Sequence, residues 1–172
     1  MNPIQTKRVS ARAGALVFAM LALAGCGKRD GALALDDLAV PAAGASLAPR
    51  VAVATDGALV ASWLEPTATG HALRWSRLRD GRWEAAHTAA EGADWFVNWA
   101  DTPGVFVARD RLVAHWLRKS GASTYAYDVM LATSADDGAT WSAPLTPHHD
   151  GTQSEHGFVS HFLTAEGGFG LV

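Results

Sequence analysis

From residue 49 onward, short runs of Val, Ala, Leu, Phe and Trp alternate with turns bearing Asp and Gly, and no stretch sustains a helical period. The pattern predicts consecutive antiparallel strands. "RVAVA" (50–54), a turn at Thr55-Asp56-Gly57 and "ALVASWL" (58–64) read as a hairpin. A polar loop "EPTATG" follows, then "HALRWSRL" (71–78), a turn at Arg79-Asp80-Gly81, and "RWEAAHT" (82–88). This gives four strands in about forty residues.

The order then recurs. "GVFVA" (104–108), a turn at Arg109-Asp110, "RLVAHWL" (111–117), the loop "RKSGAST", "YAYDVMLAT" (125–133), the turn "SADDGAT" and "WSAPLT" (141–146) again predict four strands. Trp63 aligns with Trp116, and "SRLRDGRW" (76–83) with "SADDGATW" (134–141). A third unit opens with "HGFVSHFL" (156–163), a turn "TAEGG" and "FGLV". A four-strand unit recurring every 50 to 60 or so residues is the period of a β-propeller blade.

The N-terminus has a different character. Lys7, Arg8 and Arg12 precede the apolar "AGALVFAMLALA" (13–24), which at about a dozen residues is too short for a permanent span. "LAGC" (23–26) resembles the lipobox of bacterial lipoproteins. That resemblance implies cleavage before Cys26, acylation of its thiol and new amino terminus, and a lipid anchor. Cys26 is the only cysteine, so it has no internal disulfide partner, and two or more acyl chains give stable anchoring. Gly27 after the cysteine implies outer-membrane delivery if the source is Gram-negative. Residues 1–25 therefore read as a lipoprotein signal peptide and 26–48, rich in Ala, Gly, Asp and Pro, as a flexible tether; a short helix at "ALALDDLA" (32–39) is the alternative.

Charge narrows the partners. The chain carries 14 basic and 17 acidic residues, and loss of the three N-terminal basic ones moves the net charge from -3 to -6. Such a chain is not expected to bind nucleic acid or a membrane through a polybasic surface.

In "SADDGATW", Ser134 and Asp136 offer oxygens to nearby backbone N–H groups, Gly138 permits φ > 0, and Thr140 and Trp141 resume an extended chain. The stretch matches S-x-D-x-G-x-T-W, the Asp-box, and so resembles the BNR repeats of the sialidase (neuraminidase) superfamily. The resemblance covers residues 49–172 and implies an all-β fold, a partial β-propeller of about two and a half four-stranded antiparallel blades (about 49–90, 103–146 and 156–172). It also implies that the Asp-box is structural, lying between the third and fourth strands on the face away from the ligand site. Four segments should then share the ligand face: "EPTATGH", "EGADWFVNWADTP", "RKSGAST" and "PHHDGTQSEH".

Two of these loops hold the candidate ligand-binding residues. Asp94, Trp95, Asn98, Trp99 and Asp101 combine indoles, which cover the apolar faces of sugar rings, with groups that bond hydroxyls. The alternative is that Trp95 and Trp99 wedge between blades while Asp94 or Asp101 cap turns. The second loop carries His148, His149, Asp150, Gln153, Glu155 and His156. It admits a solvated turn at Asp150-Gly151, general acid/base chemistry at Glu155, Asp150 or a histidine, or a metal site; its spacing fits no standard zinc pattern, and no metal or cofactor is expected. His161 reads as a core or channel-facing residue.

Sialidases clamp the substrate carboxylate with three arginines and use a Tyr–Glu nucleophile pair with an acid/base Asp. Arg50 lies near the position of the first arginine, but Val51-Ala52 replaces the Ile-Pro of the family's R-I-P motif. Tyr125 and Tyr127 fall in the second unit, whereas the family's nucleophile comes late, so no Tyr–Glu pair is expected. Arg50, Asp101 and Glu155 stand as candidate catalytic residues. The expectation is a lipid-anchored, sialidase-like propeller of the cell envelope that binds a glycan or another ligand; a sialidase-type hydrolase is the alternative. Because sialidase-like propellers have six blades, the chain is also expected to be a fragment.

Overall fold

The computed structural model describes residues 34–172. The signal peptide and Cys26 lie outside the described residues, as does the start of the tether. Contacts divide the chain at Asp36–Asp37, and everything below concerns the second unit. Among the described residues there is no helix, and 34–39 of the alternative helix are irregular and exposed.

The first sheet contains β1 (Leu47–Val53), β2 (Leu59–Pro66), β3 (His71–Arg79), β4 (Arg82–Trp83) and β5 (His87–Gly92). They run in the order β1-β2-β3-β4, with β5 also pairing β3. β4 and β5 are one interrupted fourth strand, which resumes with His87 opposite Trp75, and the β3–β5 register shifts between Leu73 and Arg74. β6 (Gly104–Ala108), β7 (Arg111–Lys119) and β8 (Tyr127–Ser134) form a second antiparallel sheet, and β9 (His161–Leu163) pairs with β10 (Phe169–Leu171) in a third.

The main core lies between the first two sheets. Val60, Leu64, Leu73 and Trp75 pack with Val105, Leu112, Ala114, Trp116, Met130 and Ala132. Because side chains alternate along a strand, Ser62 shares the inward row of Val60 and Leu64, and its hydroxyl accepts from the Val105 amide at 3.1 Å. A smaller cluster of Ala52, Phe106, Ala108, Val113 and Leu131 carries the third sheet through Phe169 and Leu171.

The two aligned tryptophans are covered alike. Trp95, in the segment between the sheets, stacks on Trp116 with centroids 5.6 Å apart. Val40, Ala42 and Leu47 gather with Trp63 around a small apolar cleft. Glu65 accepts from the Trp63 indole at 2.8 Å and from the Ala43 amide at 3.2 Å. The last part of the expected tether thus lies on the sheet, and its final two residues open β1.

Two expected strands are shorter than the pattern suggests. "WSAPLT" forms no continuous strand: Pro144 lacks an amide donor, and what remains is a Leu131–Leu145 bridge and the Ser142 amide on the Thr133 carbonyl at 2.8 Å. In "HGFVSHFL" only His161–Leu163 is strand, since Phe158 at φ 56° breaks the extended run.

Candidate functional site

The motif turn is built largely from its own side chains. Asp136 Oδ1 accepts from the Thr140 amide (2.9 Å) and the Ser134 hydroxyl (2.7 Å), and Oδ2 from the Thr140 hydroxyl (2.6 Å). The Gly138 amide donates to Ser134 Oγ at 2.8 Å. The Thr140 hydroxyl and amide, then Ser134, hold the Asp136 carboxyl down to about 2. Gly138 sits at φ 85° against Trp75, leaving no room for a Cβ, and Trp141 packs on the main core.

The degenerate copy has Leu78 where this turn has Asp136, and it closes differently. Asp80 (φ 48°) and Gly81 (φ 73°) make a two-residue hairpin with both residues left-handed. The copies are joined by Asp137: Arg77 donates to Oδ1 at 2.6 Å and Arg79 to Oδ2 at 3.0 Å.

At the other ends of the strands the four polar segments approach one another. Gly70 abuts Gly92, the Lys119 amide donates to the Asp94 carbonyl at 2.8 Å, and the Phe96 amide to the Leu117 carbonyl at 3.0 Å. The Gln153 side chain donates to the Ser120 carbonyl at 3.1 Å. A cleft of about 370 Å³ between His71, Val97, Lys119 and Thr124 opens here.

The candidate residues sort by exposure. Trp95 is buried on Trp116 and offers no open platform, whereas Trp99 is 94% exposed. Asn98 caps the following turn, its side-chain oxygen accepting from the Ala100 and Asp101 amides at 3.0 and 2.6 Å. Asp94 is exposed, its carboxylate 4.0 Å from Arg118. His149 is exposed.

Asp101 is only 2% exposed and fully engaged. It accepts from the Asn98 side chain (3.2 Å), the Tyr127 hydroxyl (2.8 Å) and the Phe158 amide. The bond to Phe158 helps hold that residue in its left-handed conformation. Tyr127 also lies 2.6 Å from Glu155 Oε1, so one phenolic proton serves two carboxylates. Burial, then the bonds to Glu155 and Asp101, push the phenol far above its ordinary value, and its side chain is fully buried. A Tyr–Glu contact therefore exists where none was expected, but its phenol is buried and held neutral, with Glu155 on the exposed side.

Arg50 reaches from β1 to the start of β6, donating to the Thr102 carbonyl at 3.2 Å and to His115 Nε2 at 3.3 Å. Partial burial lowers its pKa. His115, 1% exposed, is pushed down to about 3 by burial and then by the Arg50 charge.

The histidine loop closes on β8. Asp150 Oδ2 lies 3.0 Å from His156 Nε2, a contact that raises the His156 pKa and holds the Asp150 carboxyl well below its usual range. His148 and His156 stack with centroids 3.9 Å apart and both approach Asp128. The pattern concealed Tyr127 and His115 because each occupies an ordinary buried strand position. Asp128 gave no signal either, being contiguous in sequence with none of its partners.

No family model and no curated protein matches the chain. Among solved structures it is similar to the Hadza microbial sialidase Hz136, at 23% identity over 59% of this chain, with a TM-score of 0.41. The match spans 26% of that protein's length. The architecture described above is all-β and antiparallel.

Proposed function

We propose that this chain is a lipid-anchored, sialidase-like Asp-box protein of the bacterial cell envelope, built of propeller blades, that binds a glycan at the end opposite its Asp136 turn. The observation that carries this reading is the convergence of the four polar loops away from that turn, with the open indole of Trp99 among them. An exposed indole suits the apolar face of a pyranose ring. The half-buried guanidinium of Arg50 suits an acidic sugar, because it is always charged and presents a planar fork of donors. The anchor rests on the sequence of residues 1–26 alone.

The Tyr127–Glu155 contact is the one feature that favours hydrolysis, and its physical state argues against it. A nucleophilic phenol must reach substrate and give up its proton, whereas Tyr127 is enclosed and held neutral by two carboxylates. Binding of sialosides and neutral glycans to the purified full chain, followed by calorimetry, tests the reading. Retention of a glycan, with roughly tenfold weaker binding in Trp99→Ala, is expected, and no retained glycan would sink the proposal. Release of fluorophore from a fluorogenic sialoside, abolished in Tyr127→Phe, would instead establish a hydrolase. Cys26→Ser is expected to abolish lipid labelling; labelling that persists would refute the anchor.

A further inference from the structure

Asp128, His148 and His156 leave an electrostatic problem that their hydrogen bonds do not solve. Asp128 Oδ1 and His148 Nε2 are both buried, and neither has a hydrogen-bond partner among the described residues. They lie 3.7 Å apart, and His156 Nδ1 is 3.3 Å from the same Asp128 oxygen. One ligand atom from each of the three residues lies within 4.8 Å of the others. The outer nitrogen of each imidazole faces a second carboxylate: His156 Nε2 is 3.0 Å from Asp150 Oδ2, and His148 Nδ1 is 3.6 Å from Asp150 Oδ1. Two stacked imidazoles are thus bracketed by Asp128 at one end and Asp150 at the other.

We propose that Asp128 Oδ1, His148 Nε2 and His156 Nδ1 bind a divalent cation of the zinc class, with Asp150 as the outer carboxylate that orients both rings. Ligands about 2.1 Å from a tetrahedral ion stand about 3.4 Å apart, close to the two observed Asp128–imidazole separations. The cation supplies what the orphaned oxygen and nitrogen lack. Two imidazoles and one carboxylate suit zinc or a neighbouring transition ion better than calcium or magnesium, which take all-oxygen shells. Hydrogen bonding of the outer His156 nitrogen to Asp150 fixes the tautomer whose Nδ1 lone pair is free for the metal, the arrangement common to metal-bound histidines. Nδ1 also lies 3.3 Å from the Tyr127 carbonyl, a contact that coordination replaces. Both imidazoles line a cleft of about 260 Å³ with Val129, Pro147 and Val159, which leaves a fourth position for water or a ligand atom. The site shares the 147–156 loop with the proposed ligand face but does not require that a glycan bind there.

The test is zinc titration of the chelator-stripped, untagged full chain against a chromophoric competitor. One zinc per chain is expected, with binding at least tenfold weaker in His148→Ala, His156→Ala and Asp128→Asn. Asp150→Asn should weaken it about 10- to 100-fold, while Cys26→Ser and His149→Ala leave it unchanged. On the unsubstituted chain, zinc should shift the imidazole resonances of His148 and His156 and leave those of His71 and His87 in place. At a hundredfold excess over Kd it should raise Tm by roughly 5–10 °C. Absence of saturable binding, survival of binding in the His148→Ala/His156→Ala double variant, its loss in Cys26→Ser, or unmoved His148 and His156 resonances would each overturn the site.

Discussion

Single residues in this fold are constrained by what they leave no room for. Gly138 must adopt φ 85° and must also admit the Trp75 ring, so Gly138→Ala combines backbone strain with a steric clash. We expect a loss of about 2–4 kcal/mol in chemical denaturation; a loss below ~0.5 kcal/mol would show that the turn adapts. Tyr127→Phe removes one hydroxyl from between two carboxylates. It should cost about 1–3 kcal/mol, because the Asp101 acceptor stays buried after its donor has gone. The motif residues were legible in sequence because Ser134, Asp136, Gly138 and Thr140 act on one another within seven positions. The Asp101–Tyr127–Glu155 tie was not, since its partners are 26 and 28 residues apart and only folding brings them together.

Strands were legible for a related reason. β2, β3, β7 and β8 are buried on both faces along most of their length, which a near-continuous run of apolar residues reports directly. The fourth strands were legible only as approximate positions, because Pro144 and the 84–86 break act on the hydrogen-bond ladder rather than on hydrophobicity. The segment joining the two large sheets hid its function for the opposite reason: "DWFVNWAD" looks like an exposed sugar platform, yet Trp95 plugs the core over Trp116. Trp95→Ala should cost roughly 3–5 kcal/mol and make the 93–103 segment the first site of limited proteolysis. A variant as resistant as the parent would show that the stack does not pin this segment.

Across the whole molecule, the half-buried Arg50 and the buried His115 near the start of β6 set a pH dependence. His115 titrates near 6.5 when unfolded and about 3 when folded. Between those values the unfolded chain binds a proton that the native chain refuses. The stabilising contribution is therefore complete above about pH 6.5 and is lost as pH falls toward 3, with a limiting slope of about 1.4 kcal/mol per pH unit. Arg50 and His161 are the cationic neighbours that sharpen the effect. Urea midpoints measured across this window should fall for the parent chain and fall less steeply for His115→Gln. Parallel profiles would place the acid sensitivity elsewhere.

The carboxylate of Asp137 also bears on how such a chain could be rearranged. It occupies a position the motif leaves free, yet it clasps two arginines of the preceding unit, one of them, Arg77, only 9% exposed. The repeats are consequently not interchangeable bricks. A graft that exchanged the second unit for one lacking an acid at this position would strand a nearly enclosed guanidinium in its neighbour, so compatible shuffling must carry both halves of the clasp across the splice.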